Sequence, residues 1–245
     1  MGGITVGRRP QCGETASYAS DTVWSYELGA KDILLNHRLQ LATSIFHIRW
    51  NGIQENVIDS CGFNYTANAG MAISTGFDLA ADVLATERTE FGLALSFVDA
   101  HYTKTVVSPA GQIVVDRGTV VGGLPGVASP WNLTASVGYH WPMGRSTVAY
   151  VRAEDIFHSH NSGPFTEADP NSSSYDPAAQ ADPATNRLNL HFGLIWSGLD
   201  LKLSVVNALN SQPILQRESD APVSSLYYAY TFRPRTVALT CTQQF

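Results

Sequence analysis

The sequence predicts an all-β chain, an antiparallel up-and-down segment of a transmembrane β-barrel with about nine strands, short periplasmic turns and long external loops. Three observations carry this expectation. Apolar and polar side chains alternate with a period of two over stretch after stretch, which marks strands with two unlike faces. The connections between those stretches are by turns very short and very long, as in barrels that cross an outer membrane. All five tryptophans (Trp24, Trp50, Trp131, Trp141, Trp196) fall near a predicted strand end, where a girdle of aromatic residues meets the two membrane interfaces.

The first strand is predicted over residues 22–33, with Trp24, Tyr26, Leu28 and Ala30 alternating with Ser25, Glu27, Gly29 and Lys31. A tight turn at Leu35-Asn36-His37 leads to a second strand over residues 38–53. There the apolar positions change parity, from Leu39 and Leu41 to Phe46, Ile48 and Trp50, so a bulge is expected near Thr43. The connection from Gln54 to Asn68 reads as polar. A third strand puts Ile73, Thr75, Phe77, Leu79 and Val83 on one face, and after Thr86-Glu87-Arg88-Thr89 a fourth does the same with Phe91, Leu93, Leu95 and Phe97. A Gly- and Pro-rich connection then runs from Thr105 to Pro130.

The second half repeats the rhythm. Trp131, Leu133, Ala135, Val137, Tyr139 and Trp141 form one face of the fifth strand, and Pro142-Met143-Gly144-Arg145 carries turn chemistry. A less regular sixth strand, Ser146 to Phe157, precedes a polar connection from His158 to Thr185. Leu188 to Trp196 and Leu199 to Val205 make a clean pair turned by Ser197-Gly198. After Asn210 comes a last long connection, in which Leu226 to Phe232 is expected to extend a strand. The chain closes on a ninth strand, in which Val237, Leu239, Cys241 and Phe245 alternate with small or polar residues.

Composition narrows the class. Charged residues make up only 15% of the 245 and mean hydropathy is −0.06, yet there is no apolar run long enough for a transmembrane helix. Spanning strands escape such a search because only alternate side chains are apolar. A net charge of −6 argues against nucleic acid as a partner, which demands basic patches. Three cysteines, Cys12, Cys61 and Cys241, are too few for a disulfide framework or a zinc pattern; a Cys12–Cys61 loop disulfide is the less favoured reading, and Cys241 reads as a small hydrophobe. The N-terminus has no apolar core of signal-peptide type, so the chain is expected to be either cytosolic or the tail of a longer secreted protein.

Several segments together carry a family resemblance: Ser25-Tyr-Glu-Leu-Gly-Ala-Lys31, Phe46-His-Ile-Arg-Trp-Asn-Gly-Ile-Gln54, Asn68-Ala-Gly70 with Ser74-Thr-Gly-Phe-Asp78, Leu124-Pro-Gly126, Val206-Asn-Ala-Leu-Asn210 and Arg233-Pro-Arg-Thr236 with the terminal Phe245. In this order they resemble the C-terminal barrel half of TonB-dependent outer-membrane receptors. The resemblance implies a 22-stranded barrel around an N-terminal plug, in the outer membrane of a Gram-negative cell, taking up a scarce nutrient such as a ferric siderophore. It further implies partners: outer-membrane lipid, the small-molecule ligand, TonB acting through a region N-terminal to this chain, and the barrel-assembly machinery, which reads Phe245. Nothing in the chain resembles the plug or the TonB-binding box, and strand parity starts it in an external loop. Residues 1–21 are therefore expected to be an external-loop or irregular segment and residues 22–245 the C-terminal part of the receptor barrel.

Chemistry beyond this is sparse. His158-Ser-His160 offers two imidazoles without a third metal ligand, and Glu167, Asp169, Asp176 and Asp182 lack the spacing of a calcium loop; both read as polar loop. Asp78, Asp82, His191, Asp200 and Lys202 lie opposite the apolar faces and read as lumen-facing residues. No catalytic residue, metal ligand or cofactor is expected, and the ligand-binding residues are not legible. Two other classes stay open: an outer-membrane barrel hydrolase using Ser, His and Asp, and a soluble carbohydrate-binding β-sandwich.

Overall fold

The computed structural model describes residues 2–4, 10–14, 17–121, 129–178, 181–219 and 226–243. Nine strands form one antiparallel sheet in strict sequence order: β1 (Thr22–Leu34), β2 (Leu39–Asn51), β3 (Met71–Leu84), β4 (Thr89–Tyr102), β5 (Trp131–Pro142), β6 (Thr147–His158), β7 (Thr185–Trp196), β8 (Leu199–Val206) and β9 (Thr236–Gln243). The sheet is open, with β1 and β9 at its two edges. Short turns join β1–β2, β3–β4, β5–β6 and β7–β8 at one end, and the four long connections lie at the other.

Register fixes two faces. The rung Leu34–Leu39–Val83–Phe91–Val137–Ala153–Leu190–Val205–Val237 runs through all nine strands without a polar side chain. Its face is left uncovered, with Leu28 72% and Leu239 74% exposed, although an apolar surface of that extent demands an apolar neighbour. The opposite, inner face carries Glu27, Lys31, Asp78, Asp82, Arg152, His191, Asp200 and Lys202. At the turn end, Arg38 ties two hairpins together by donating from Nε to the Leu84 carbonyl at 3.0 Å and from Nη2 to the Ala85 carbonyl.

Three expectations need correction. The bulge at Thr43 does not exist, because β2 keeps one register from Leu39 to Asn51 against both neighbours. Its parity change has another form: Phe46, Ile48 and Trp50 face inward in an unbroken register, and Trp50 packs against the loop cluster. The polar connection after β2 carries a hairpin of its own, Gln54–Ile58 paired with Asn64–Asn68. Tyr227–Tyr230 extends no strand of the sheet and instead pairs with Gln216–Ser219. Cys12 and Cys61 do form a disulfide. The main chain brings them together: Cys12 O accepts from Ser60 N at 3.0 Å and from Ser60 Oγ at 2.9 Å, while Asp59 Oδ1 accepts from the amides of Cys61 and Phe63, each at 2.8 Å.

Those loops own the largest buried apolar cluster: Ile53, Val57, Tyr65, Ala69, Ala72, Tyr102, Val114 and Val115, with Trp50 packed against it. Loops of this length stay exposed unless they bring a core of their own. Here that core sits over the inner face of β2–β4 and caps one side of the barrel mouth.

Candidate ligand path: inner wall and external mouth

The inner wall is built by alternation alone. On β1–β5, small side chains (Ala42, Ala80, Ala94) floor a groove of about 710 Å³ rimmed by Glu27, Lys31, Ser44, Asp78, Ser96 and Thr134. Nearer the turn end, a second groove of about 450 Å³ is lined by Glu90, Tyr150, Arg152, His191, Asp200 and Lys202. Arg152 organises it, with Nη1 3.3 Å from Glu90 Oε1, Nη2 donating to Ser136 Oγ at 3.0 Å, and Glu154 Oε2 at 4.0 Å. The Tyr150 hydroxyl donates to Asp200 Oδ1 at 3.2 Å. Glycines let aromatic rings lie flat on this wall. A Cβ on Gly193 would fall 2.0 Å from the Tyr150 ring, and one on Gly76 would fall 2.2 Å from the Phe97 carbonyl oxygen.

At the mouth, β4 and the connection that follows it meet the hairpin after β2 on one side and the connection after β6 on the other. The Tyr102 hydroxyl donates to Glu55 Oε1 at 3.0 Å, Thr119 and Thr166 hydroxyls sit 2.9 Å apart, and the Val120 amide donates to the Pro164 carbonyl at 2.9 Å. Burial holds the Glu55 carboxyl above its usual range, and the bond from Tyr102 only partly offsets this. Burial also raises Glu167; a backbone hydrogen bond opposes the rise and nearby Glu55 adds to it. Glu167 Oε2 is buried without a hydrogen-bond partner. Both carboxyls therefore favour their protonated forms more than free carboxyls do.

The residues singled out in the sequence fall in separate places. Trp24, Trp131, Trp141 and Trp196 lie on the outer face, the first two at the loop end and the others at the turn end. Trp50 lies on the inner face, where its indole N–H donates to Asp21 Oδ2 at 2.8 Å. Phe245 lies outside the described residues. His158 Nδ1 contacts Asn132 Oδ1, and no group of three or more metal-ligating side chains exists among the described residues. The four loop acids are spread through local turns: Asp169 accepts from Asn171, Asp176 from the Ala178 amide, and Asp182 bridges Asn161 through its backbone. The nearest thing to a nucleophile and base is Ser204 Oγ, 3.0 Å from His191 Nδ1. Among the described residues no carboxylate is hydrogen-bonded to that imidazole. The cap was the feature sequence reading missed; the inward-facing Trp50, which packs against it, was its signal.

The fold and its sequence have known relatives. A structure of the ferric yersiniabactin uptake receptor FyuA from Yersinia pestis is similar at TM-score 0.65 and 16% identity, over 92% of this chain and 31% of that one. The FrpB iron transporter from Neisseria meningitidis matches at TM-score 0.64 and 14% identity, over 97% of this chain and 32% of that one. The copper transporter OprC matches at 0.63 and 11%, over 95% and 32% respectively. Identities this low speak to fold alone, and the chain spans about a third of each relative's length. No curated protein matches the sequence significantly. The model of the TonB dependent receptor-like β-barrel covers residues 5–210, most of the chain. Two unlike faces, up-and-down order, one-sided loops and this match give a single conclusion: the chain belongs to the TonB-dependent receptor β-barrel family, a family of receptors and transporters rather than enzymes.

Proposed function

We propose that this chain is the C-terminal part of the barrel of an outer-membrane receptor that imports a scarce nutrient, such as a ferric siderophore, with energy relayed by TonB. The observation that carries the reading is the division of nine continuous strands into an apolar outer face and a charged inner one. Lipid satisfies the first and a hydrated or protein-filled lumen the second. Trp24, Trp131, Trp141 and Trp196 then stand at the interfaces. Trp131 and Trp141 lie ten residues apart on β5, and ten residues at about 3.3 Å each, tilted by about 40°, span roughly 25 Å, the height of an apolar barrel band. Similar proteins are described as transporters of iron and of copper, so the cargo class is a metal or its chelate. In this reading the barrel-assembly machinery recognises Phe245, and the lumen-facing charges meet an N-terminal plug.

Uptake tests it. Cells expressing the full-length receptor should accumulate iron-55 from at least one of a panel of ferric hydroxamate, catecholate and carboxylate siderophores. That accumulation should vanish when TonB is deleted. Uptake of the whole panel at background level, or uptake indifferent to TonB, would contradict the proposal.

A further inference from the structure

The nine strands contain five Lys or Arg residues, and four of them (Lys31, Arg152, Arg187, Lys202) face inward. Arg49 alone lies on the outer face. It sits on a cross-strand rung with Trp24, Ile73 and His101, and His47 stands on the same face one step nearer the turn end. Among the described residues the guanidinium of Arg49 takes part in no ion pair. Asp99, on the same face, holds His101 Nδ1 through Oδ1 at 3.2 Å and so engages Nδ1 rather than Nε2. One rung nearer the turn end lie His47, Thr75 and Asp99, and on the rung after that the face turns apolar with Ile45, Phe77 and Phe97.

Height decides what such a patch meets. Arg49 is ten residues above Leu39 on β2, and His101 ten above Phe91 on β4, the spacing that separates Trp131 from Trp141. By the same arithmetic the patch stands about 25 Å above the turn-end rim, at the far edge of the apolar band. A cation inside hydrocarbon is penalised, whereas one at the headgroup plane attracts anionic lipid. Arg49 and His101 stand two strands apart, about 9–10 Å, and His47 about 7 Å from Arg49, spacings that side chains of this length bridge through one phosphate. Trp24 and Tyr26 on β1 flank them with rings suited to the interface. The chain's net charge is −6, and the one carboxylate on these two rungs, Asp99, is engaged by His101, so Arg49 is the cation left to face an anionic partner.

We infer that Arg49, with His101 and His47, forms a binding site on the lipid-facing wall for the phosphate of an anionic lipid headgroup in the outer leaflet. The inference rests on the reading of the outer face as lipid-facing, which detergent dependence tests separately.

The assembled full-length receptor in mixed micelles is titrated with phosphatidylglycerol, phosphatidylcholine and inorganic phosphate, and lipid retained per folded barrel is counted by native mass spectrometry. Phosphatidylglycerol should be retained in preference to phosphatidylcholine, and inorganic phosphate should displace it weakly. Arg49→Gln should weaken retention about fivefold, as expected for one interfacial cation. Arg49→Lys should restore most of it, and Arg145→Gln in the β5–β6 turn should leave it unchanged. Equal retention by Arg49→Gln and the native barrel would overturn the inference, as would full displacement by inorganic phosphate, which would mark a free-anion site. A need for detergent without any lipid preference would leave the membrane reading standing and remove the headgroup site.

Discussion

Single side chains on the inner wall differ in how much room they leave. At Gly76 the obstacle to a Cβ is the Phe97 carbonyl, part of a paired strand, whereas at Gly193 it is the far end of the Tyr150 side chain. Backbone cannot yield without breaking the ladder, but a phenol ring can swing away and give up Asp200. Gly76→Ala should therefore destabilise the barrel by about 1–3 kcal/mol and Gly193→Ala by less, read as the urea midpoint of the assembled receptor; equal losses would mean that the Tyr150 ring is as fixed as the backbone. Phe245 is argued from its chemistry alone. Its removal costs about 1.5–3 kcal/mol if fully buried, small against a barrel, so Phe245→Ala should lower the amount assembled in the membrane while leaving ligand affinity of the assembled fraction unchanged. Sequence reading placed the charged inner-wall residues because alternation alone decides their side. It did not resolve the cysteine pairing, since spacing along the chain says nothing about the turn at Asp59 that brings Cys61 to Cys12.

Among elements, the strands were legible and the loops were not. Period-two patterning survives wherever one face is apolar throughout, which is why β5 and β8 match their predicted ends within a residue, whereas β7 begins at Thr185, ahead of the predicted Leu188. It failed in β2, where inward-facing Phe46, Ile48 and Trp50 imitated a bulge in a strand of continuous register, Trp50 packing against the cap. The hairpins at 54–68 and 216–230 escaped because both their faces mix polar and apolar residues. The cap makes a pH prediction. Glu55 and Glu167 both have folded values raised above their usual ones, so the stabilisation they give the closed contact is complete in acid, below the ordinary carboxylate values. It fades as pH rises through the raised values. Intrinsic-rate-corrected hydrogen exchange at Val120 and Asp176 should accordingly be slower at acidic than at alkaline pH, and Glu167→Gln should flatten the difference. Reduction of the Cys12–Cys61 bridge, 49 residues apart, should loosen the segment at residues 10–14, with about 2–4 kcal/mol lost locally and the sheet untouched.

For the whole molecule, the two edges set the terms. β1 and β9 both run from the loop end to the turn end, since an odd number of antiparallel strands separates an edge from its like. Closing the sheet with antiparallel pairs alone therefore takes an odd number of further strands. Left open, the edges expose unpaired N–H and C=O groups that cost several kcal/mol each in hydrocarbon. The segment by itself should fail to insert into vesicles as a stable monomer, and protease protection of all nine strands in that setting would show the edges to be satisfied in another way. The central claim is that these strands cross the outer membrane with the long connections outside. The direct measurement is labelling of intact cells with a membrane-impermeant thiol reagent, using the full-length receptor in a Cys241→Ser background because Cys241 is a free, exposed thiol. Ser173→Cys should label on intact cells, and Gly144→Cys only after the outer membrane is permeabilised; labelling at residue 144 but not at 173 would contradict the account.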